Sequence, residues 1–244
     1  MIAGSLWSAV TLPPLIEGRL LRRYKRFLAD VELADGSVVV AHCPNPGSMK
    51  TMKDVGSKVW LSASDNPKRK LAYSWELILS QDALTLVHTG RANEIVEEGL
   101  RAGVVRPLVG FDTLRREVRY GDKSRLDFQL QWKDASCFVE VKNVTMADGP
   151  GRCAFPDSVT ARGSKHLREL MSIVAGGERA VLLFCCSRAG TRSIRPADEI
   201  DSVYGATLRE AAEAGVEIMA YACRVSAREL VLAESVPVEL SSPS

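Results

Sequence analysis

Apolar and polar positions change their period along this chain near residue 90. Before it, apolar residues alternate with polar ones or come in short runs, the period of two that marks strands. Residues 12–24, 27–33, 37–42, 58–63, 71–79 and 83–87 are the predicted strands. Asp35-Gly36 between two of them is a hairpin signal. Pro44-Asn45-Pro46-Gly47 predicts an irregular loop, because two prolines prevent ladder pairing there. So many short strands in so short a segment predict a small β-barrel or sandwich.

Beyond residue 90 the spacing turns helical. Residues 93–101 (NEIVEEGLR) predict a helix, with Asn93 as N-cap and Gly103 just past the end. Strands follow at 113–119, 125–131 and 136–144. A helix over 160–174 places Leu167, Leu170, Met171 and Val174 on one face. Residues 180–186 (AVLLFCC) predict a buried strand, 197–214 a helix and 216–222 another strand. The chain therefore divides into a barrel over 1–88, an α/β domain with a mixed central sheet over 89–232, and a tail over 233–244. The class is α+β or α/β.

At 244 residues, with 46% hydrophobic and 25% charged residues, the composition is that of an ordinary globular protein. No apolar run reaches about 18 residues and no basic cluster precedes an early apolar stretch, so neither a membrane span nor a signal peptide is expected. The six cysteines contain no C-x-x-C pair, which argues against a zinc knuckle. Cys185 and Cys186 read as buried thiols, and a reducing cytoplasm is expected. Net charge is only +2, so its distribution matters more than its total. Arg19, Arg22, Arg23, Lys25 and Arg26 cluster around Tyr24, with Phe27 beside them, and Lys68-Arg69-Lys70 forms a second run. On a small barrel such a cluster fits a nucleic-acid groove; charge-guarded strand edges are the plainer alternative.

Candidate chemistry concentrates between Ser124 and Asn143. Asp127 lies on one predicted strand, and Glu140 and Lys142 lie two apart on the next, so that pair shares a face. If the strands form a hairpin, Asp127 falls beside Glu140. Two adjacent carboxylates repel unless a cation lies between them. Mg²⁺ or Mn²⁺ suits such oxygen donors, with Lys142 placed to stabilise charge on a phosphate. A solvated hairpin bearing a Glu–Lys pair gives a similar pattern. Downstream, Arg162, Lys165, His166 and Arg168 cluster at a helix start, where cations oppose the macrodipole and so point to an anionic partner. Arg125, two before Asp127, is a further candidate phosphate contact. Pro156-Asp157 has no E-x-K after it at suitable distance and reads as a helix entry or loop. The 42–49 loop (HCPNPGSM) reads as a rigid structural or substrate-facing loop rather than a metal site.

The order helix, three strands, helix, strand, with L-D then E-V-K, resembles the PD-(D/E)XK nuclease superfamily, leucine standing where proline is usual. That superfamily often adds a carboxylate from the preceding helix, which implies Glu98 as a metal ligand, ahead of Glu94 and Glu97. The segments RYKRFL (23–28), HCPNPGSM (42–49), YGDKSRLDF (120–128), FVEVKNVT (138–145), FPDSVTARGSKHLRELM (155–171) and RAVLLF (179–184) resemble the sugar fermentation stimulation protein A family over most of the chain. The resemblance implies an OB-fold-like domain ahead of a nuclease-like domain, in a prokaryotic cytoplasmic protein that binds DNA without strong sequence preference. It also implies a regulatory role in sugar (maltose) utilisation. Pro46 stands where that family commonly has threonine. Two functions stay open: a Mg²⁺-dependent nuclease on DNA, with RNA as alternative, and a non-catalytic DNA-binding regulator on a nuclease fold. A homodimer is left open. A sugar-converting enzyme has no nucleotide loop or triad to support it.

Overall fold

A computed structural model describes residues 8–120 and 124–241. The N-terminal elements are β1 (Val10–Thr11), β2 (Leu15–Tyr24), β3 (Leu28–Leu33), β4 (Val38–His42), β5 (Lys58–Ala63), β6 (Tyr73–Ser80) and β7 (Ala83–Leu86). Strands β2 to β6 are ordered β4-β3-β2-β5-β6, and a parallel pairing of β4 with β6 closes them into a five-stranded barrel, with β7 added outside β6. The Asp35-Gly36 turn forms as expected: Gly36 adopts φ +81°, and Asp35 accepts from the backbone and hydroxyl of Ser37. Leu20, Val31, Leu61, Trp75 and Ile78 fill the barrel.

The C-terminal part comprises α1 (Arg91–Arg101), β8 (Thr113–Tyr120), β9 (Ser124–Trp132), β10 (Ala135–Val144), β11 (Met146–Ala147) and β12 (Arg152–Phe155). There follow α2 (Ala161–Ala175), β13 (Arg179–Cys186), β14 (Ser193–Pro196), α3 (Ser202–Glu213), β15 (Glu217–Val225) and β16 (Glu229–Ser235). Its central sheet runs β1-β16-β15-β13-β10-β9-β8 and is mixed, with β10, β13 and β15 parallel. Helix α1 covers one face, over a core of Ile95, Phe128, Val139, Val181 and Leu183. Helices α2 and α3 cover the other, over Phe138, Leu167, Leu170, Leu182 and Tyr204. Trp60, Leu77 and Leu86 of the barrel join the α1-side core, so the two domains share buried surface.

Four sequence expectations need correcting. Helix α1 starts at Arg91, two residues before the expected cap, because the amides of Arg91 and Ala92 bond back to the carbonyls of His88 and Thr89. The helix expected over 197–214 begins only at Ser202, capped by the Asp201 carboxylate. Residues 197–201 instead form a turn after β14 and bury Ala197 against Met146 and Ala154. Residues 10 and 11, assigned to the barrel, pair with Leu230 and Glu229 on β16 in the second domain. The stretch from 233 to 241, expected as a tail, is packed: β16 continues to Ser235, Val236 bonds Ala220, and Glu239 bonds Ile194.

Candidate metal centre and nucleic-acid interface

The hairpin β8–β9 contains a local irregularity at the expected site. Its register is constant from Thr113↔Gln131 to Tyr120↔Ser124, but Glu117 and Asp127, which that register would set opposite each other, do not pair. Glu117 there adopts φ +51°. Leu126 packs in the α2-side core while Phe128 packs in the α1-side core. Residues two apart on a regular strand share a face, so β9 changes face at Asp127. The β9–β10 ladder likewise stops at Val139↔Phe128, one step short of Glu140 and Asp127. The Asp127 carboxylate supplies the missing acceptor, taking the Val141 amide at 2.7 Å and the Asn93 side-chain amide of α1 at 2.7 Å.

Glu140 emerges on the same side as Phe138, toward α2. It is 3% exposed. Lys142 donates to its Oε1 at 2.5 Å, and His166 of α2 donates to the same oxygen from Nδ1. Arg162 donates to His166 Nε2 at 3.3 Å, which assigns the imidazole proton to Nδ1. Burial, and after it the charge of Glu140, push Asp127 up to about 6. Burial alone would raise Glu140 too, but the hydrogen bond from His166 and the charge of Lys142 outweigh it and leave Glu140 below the usual carboxylate range. Asp127, Glu140 and Lys142 are thus brought together, the two acids within electrostatic reach of each other.

Glu98 is not part of this group. It accepts from Ser8, on the chain leading into β1 at the opposite edge of the sheet, and its neighbour Gly99 packs on Leu232 of β16. Five residues along a helix turn a side chain roughly 140° away from Asn93, at about 100° per residue. Glu94 pairs with Arg91, and Glu97 with Arg101 and Arg116. Among the described residues no cluster of three His, Cys, Asp or Glu side chains forms a metal cage. The helix's contribution is Asn93, a residue that sequence reasoning spent on a cap.

The basic candidates separate. Arg23 is built into the fold, donating to the carbonyls of Asn45, Gly47 and Ser48 and so holding the 42–49 loop. Arg26 donates to Pro46 O at 2.8 Å, and Arg22 pairs with Asp30 while lying over the Tyr24 ring. Lys25 and Arg26 adopt φ +45° and +65° in the β2–β3 turn, where Lys25 is exposed. His166 is buried against Glu140 rather than offered to a phosphate, and Lys165 pairs with Glu169. Arg125 is exposed on β9 opposite Arg119. The Pro-Asp pair sits at the domain junction: Asp157 accepts the Met49 amide, and its carbonyl accepts the Ser48 hydroxyl. Beside it a cleft of about 440 Å³ separates the domains, with Arg26 and Asn45 on the barrel wall and Asn143, Thr145 and Arg162 on the other.

The comparisons fit this architecture. Residues 21–88 match the model of the SfsA N-terminal OB domain, and residues 90–229 match that of the sugar fermentation stimulation protein RE domain. A sugar fermentation stimulation protein homolog of Maricaulis maris is 54% identical over 228 residues, covering 93% of this chain and 97% of the relative. Those of Pseudomonas paraeruginosa and Geobacter sulfurreducens are 53% and 52% identical, over 93% and 92% of this chain and 98% and 96% of theirs. The structure of Pyrococcus furiosus SfsA in complex with Ca²⁺ superposes with a TM-score of 0.86 at 24% identity, covering 94% of this chain and 98% of that one, which establishes the shared fold. With both halves matched in order and relatives above 50% identity along nearly the whole length, the chain belongs to the sugar fermentation stimulation protein family.

Proposed function

We propose that the chain binds DNA with little sequence preference and hydrolyses phosphodiester bonds at a divalent-cation site formed by Asp127 and Glu140. The carrying observation is the buried acid pair, in which burial first and the charge of Glu140 next raise Asp127 to about 6. A hard divalent ion relieves the repulsion within such a pair. Mg²⁺, or Mn²⁺, fits two carboxylates because it accepts oxygen donors and keeps several waters. Ca²⁺, named with the Pyrococcus furiosus relative, belongs to the same hard, oxygen-seeking class. When bound, such an ion polarises a scissile phosphate and acidifies a coordinated water.

The chain's own residues do the rest. Asn93 and the Val141 amide orient Asp127, and His166, itself fixed by Arg162, orients Glu140. Lys142 brings positive charge beside the reacting phosphate. Arg26 and Arg162 face the interdomain cleft from its two walls, and Phe27, 42% exposed, offers a ring beside Arg26. Cations from two domains suit a phosphate backbone, and an exposed ring suits an unstacked base. RNA is the alternative substrate. Six free, buried thiols suit a reducing cytoplasm.

The test is cleavage of labelled duplex and single-stranded DNA with Mg²⁺ or Mn²⁺ against chelator. Glu140→Ala and Lys142→Ala should each lower the rate by at least about 100-fold while retaining DNA affinity. No cleavage by the parental protein, together with no calorimetric metal binding, removes this reading. The second reading, a DNA-binding regulator of sugar catabolism genes without turnover, draws on one feature: Lys142 already balances Glu140 at 2.5 Å. It predicts DNA binding that is indifferent to both substitutions.

A further inference from the structure

On the side of the domain junction lined by the β6–β7 turn lies a pocket of about 400 Å³. Its walls are Gln81 and Ala83, the 149–153 turn, and residues 188–191. Neither aspartate nor glutamate lines it. Arg188 does, and it is 8% exposed. Its guanidinium donates to Thr85 Oγ1 at 3.1 Å and to the Gln81 carbonyl at 3.3 Å. These bonds use two of five N–H donors, and both acceptors are neutral. No carboxylate among the described residues forms an ion pair with Arg188. A buried guanidinium is ordinarily matched by an anion, because removing a charge from water without compensation is costly.

A second cation packs against Gly151 of the pocket wall. A Cβ on Gly151 would lie 2.5 Å from Arg192 Nε, so the Arg192 guanidinium is stacked against that glycine. Gly149, Gly151 and Gly190 adopt φ of +94°, +72° and +78°, conformations open to glycine, and around Gly149 and Gly190 nothing lies within 4 Å of where a Cβ would stand. The third arginine, Arg152, is balanced by Asp148. The pocket thus combines a buried guanidinium lacking a carboxylate partner, a second packed against its Gly151 wall, and glycine-lined stretches a ligand can approach closely.

We infer that this pocket binds the phosphoryl group of a small phosphorylated molecule, with Arg188 as its principal contact and Arg192, packed on Gly151, as a neighbouring cation. Arginine presents paired N–H donors that match phosphate oxygens. The volume lies within the range of small-molecule sites. The site is separate in residues from Asp127, Glu140 and Lys142 and needs no divalent ion.

Titration calorimetry with inorganic phosphate, in chelator and at constant ionic strength, tests it. We expect one site per chain, unchanged in Glu140→Ala and weakened about tenfold or more in Arg188→Gln, the loss expected for a charge-assisted hydrogen-bond pair. Ala189→Glu keeps Arg188 and supplies an internal carboxylate at the pocket wall; it should abolish binding, and it decides the matter if Arg188→Gln does not fold. Glycerol phosphate and oligonucleotides with and without a 5′-phosphate identify the source. Tighter binding of glycerol phosphate than of either oligonucleotide supports the inference, while Arg188-dependent binding of the oligonucleotides alone overturns the small-molecule assignment. No phosphate binding, or equal binding by the parental protein and both variants, overturns the site.

Discussion

At the scale of single residues, Asp127 carries the most consequence. Its carboxyl is displaced from an ordinary 3.8 to about 6, burial being the larger cause and Glu140 the next. Between those values the folded protein holds a proton that the unfolded chain has released. Stability of the metal-free protein therefore falls as pH rises from about 4 to about 6 and stays lower above that. Asp127→Asn removes this titration and should stabilise the metal-free protein at pH 7 by about 1–3 kcal/mol, and, under the proposed cation site, added Mn²⁺ should stabilise the parental chain but not this variant. Urea denaturation in chelator at pH 5 and pH 7, then with metal, reads both; equal parental stability at the two pH values would contradict the displaced carboxyl. The same scale shows why the basic cluster does not act as one uniform group. Five cations within 19–26 look alike in sequence, but the 42–49 loop turns three carbonyls toward Arg23 and one toward Arg26. Nothing local to residues 19–26 encodes where that loop lies.

At the scale of elements, α1 shows packing overriding propensity. Gly99 lies inside the helix, where alanine would ordinarily gain up to about 1 kcal/mol. A Cβ there would stand 2.4 Å from Leu232 Cδ2 and 2.8 Å from Leu232 Cβ. The rotatable end of Leu232 can yield, but its Cβ is fixed to β16. Overpacking costs about 1–3 kcal/mol and wins. Gly99→Ala should therefore lower stability by about 1–2 kcal/mol in thermal unfolding; a more stable variant would mean that α1 and β16 can separate freely. The close contact also explains Glu98: the helix face that packs on β16 carries the residue before Gly99 toward Ser8, away from Asn93 and Asp127. An acidic helix offers three glutamates to a sequence reader, and only the crossing of that helix over the sheet decides which side approaches the site.

At the scale of the whole molecule, the two domains are bound by shared core and by polar bridges. Trp60, Leu77 and Leu86 pack with α1 and β10, Asp157 caps the 42–49 loop, and Thr51 accepts the Ala147 amide. A fragment of residues 15–88 would expose those three apolar side chains, so it should bind a hydrophobic dye that the full chain does not and unfold at lower denaturant; equal stability and no dye binding would show that the barrel stands alone. Period-two and helical spacing were enough to predict the barrel, the mixed-sheet domain and most of the strands, because those patterns record one buried face per element. The Asp127, Glu140 and Lys142 set was legible for the same reason, being carried on two neighbouring strands. Asn93 beside Asp127, His166 on Glu140, the strand step at Glu117 and the pairing of β1 with β16 were not. Each joins segments far apart along the chain, and such contacts are chosen by how packed elements meet, which local periodicity does not contain.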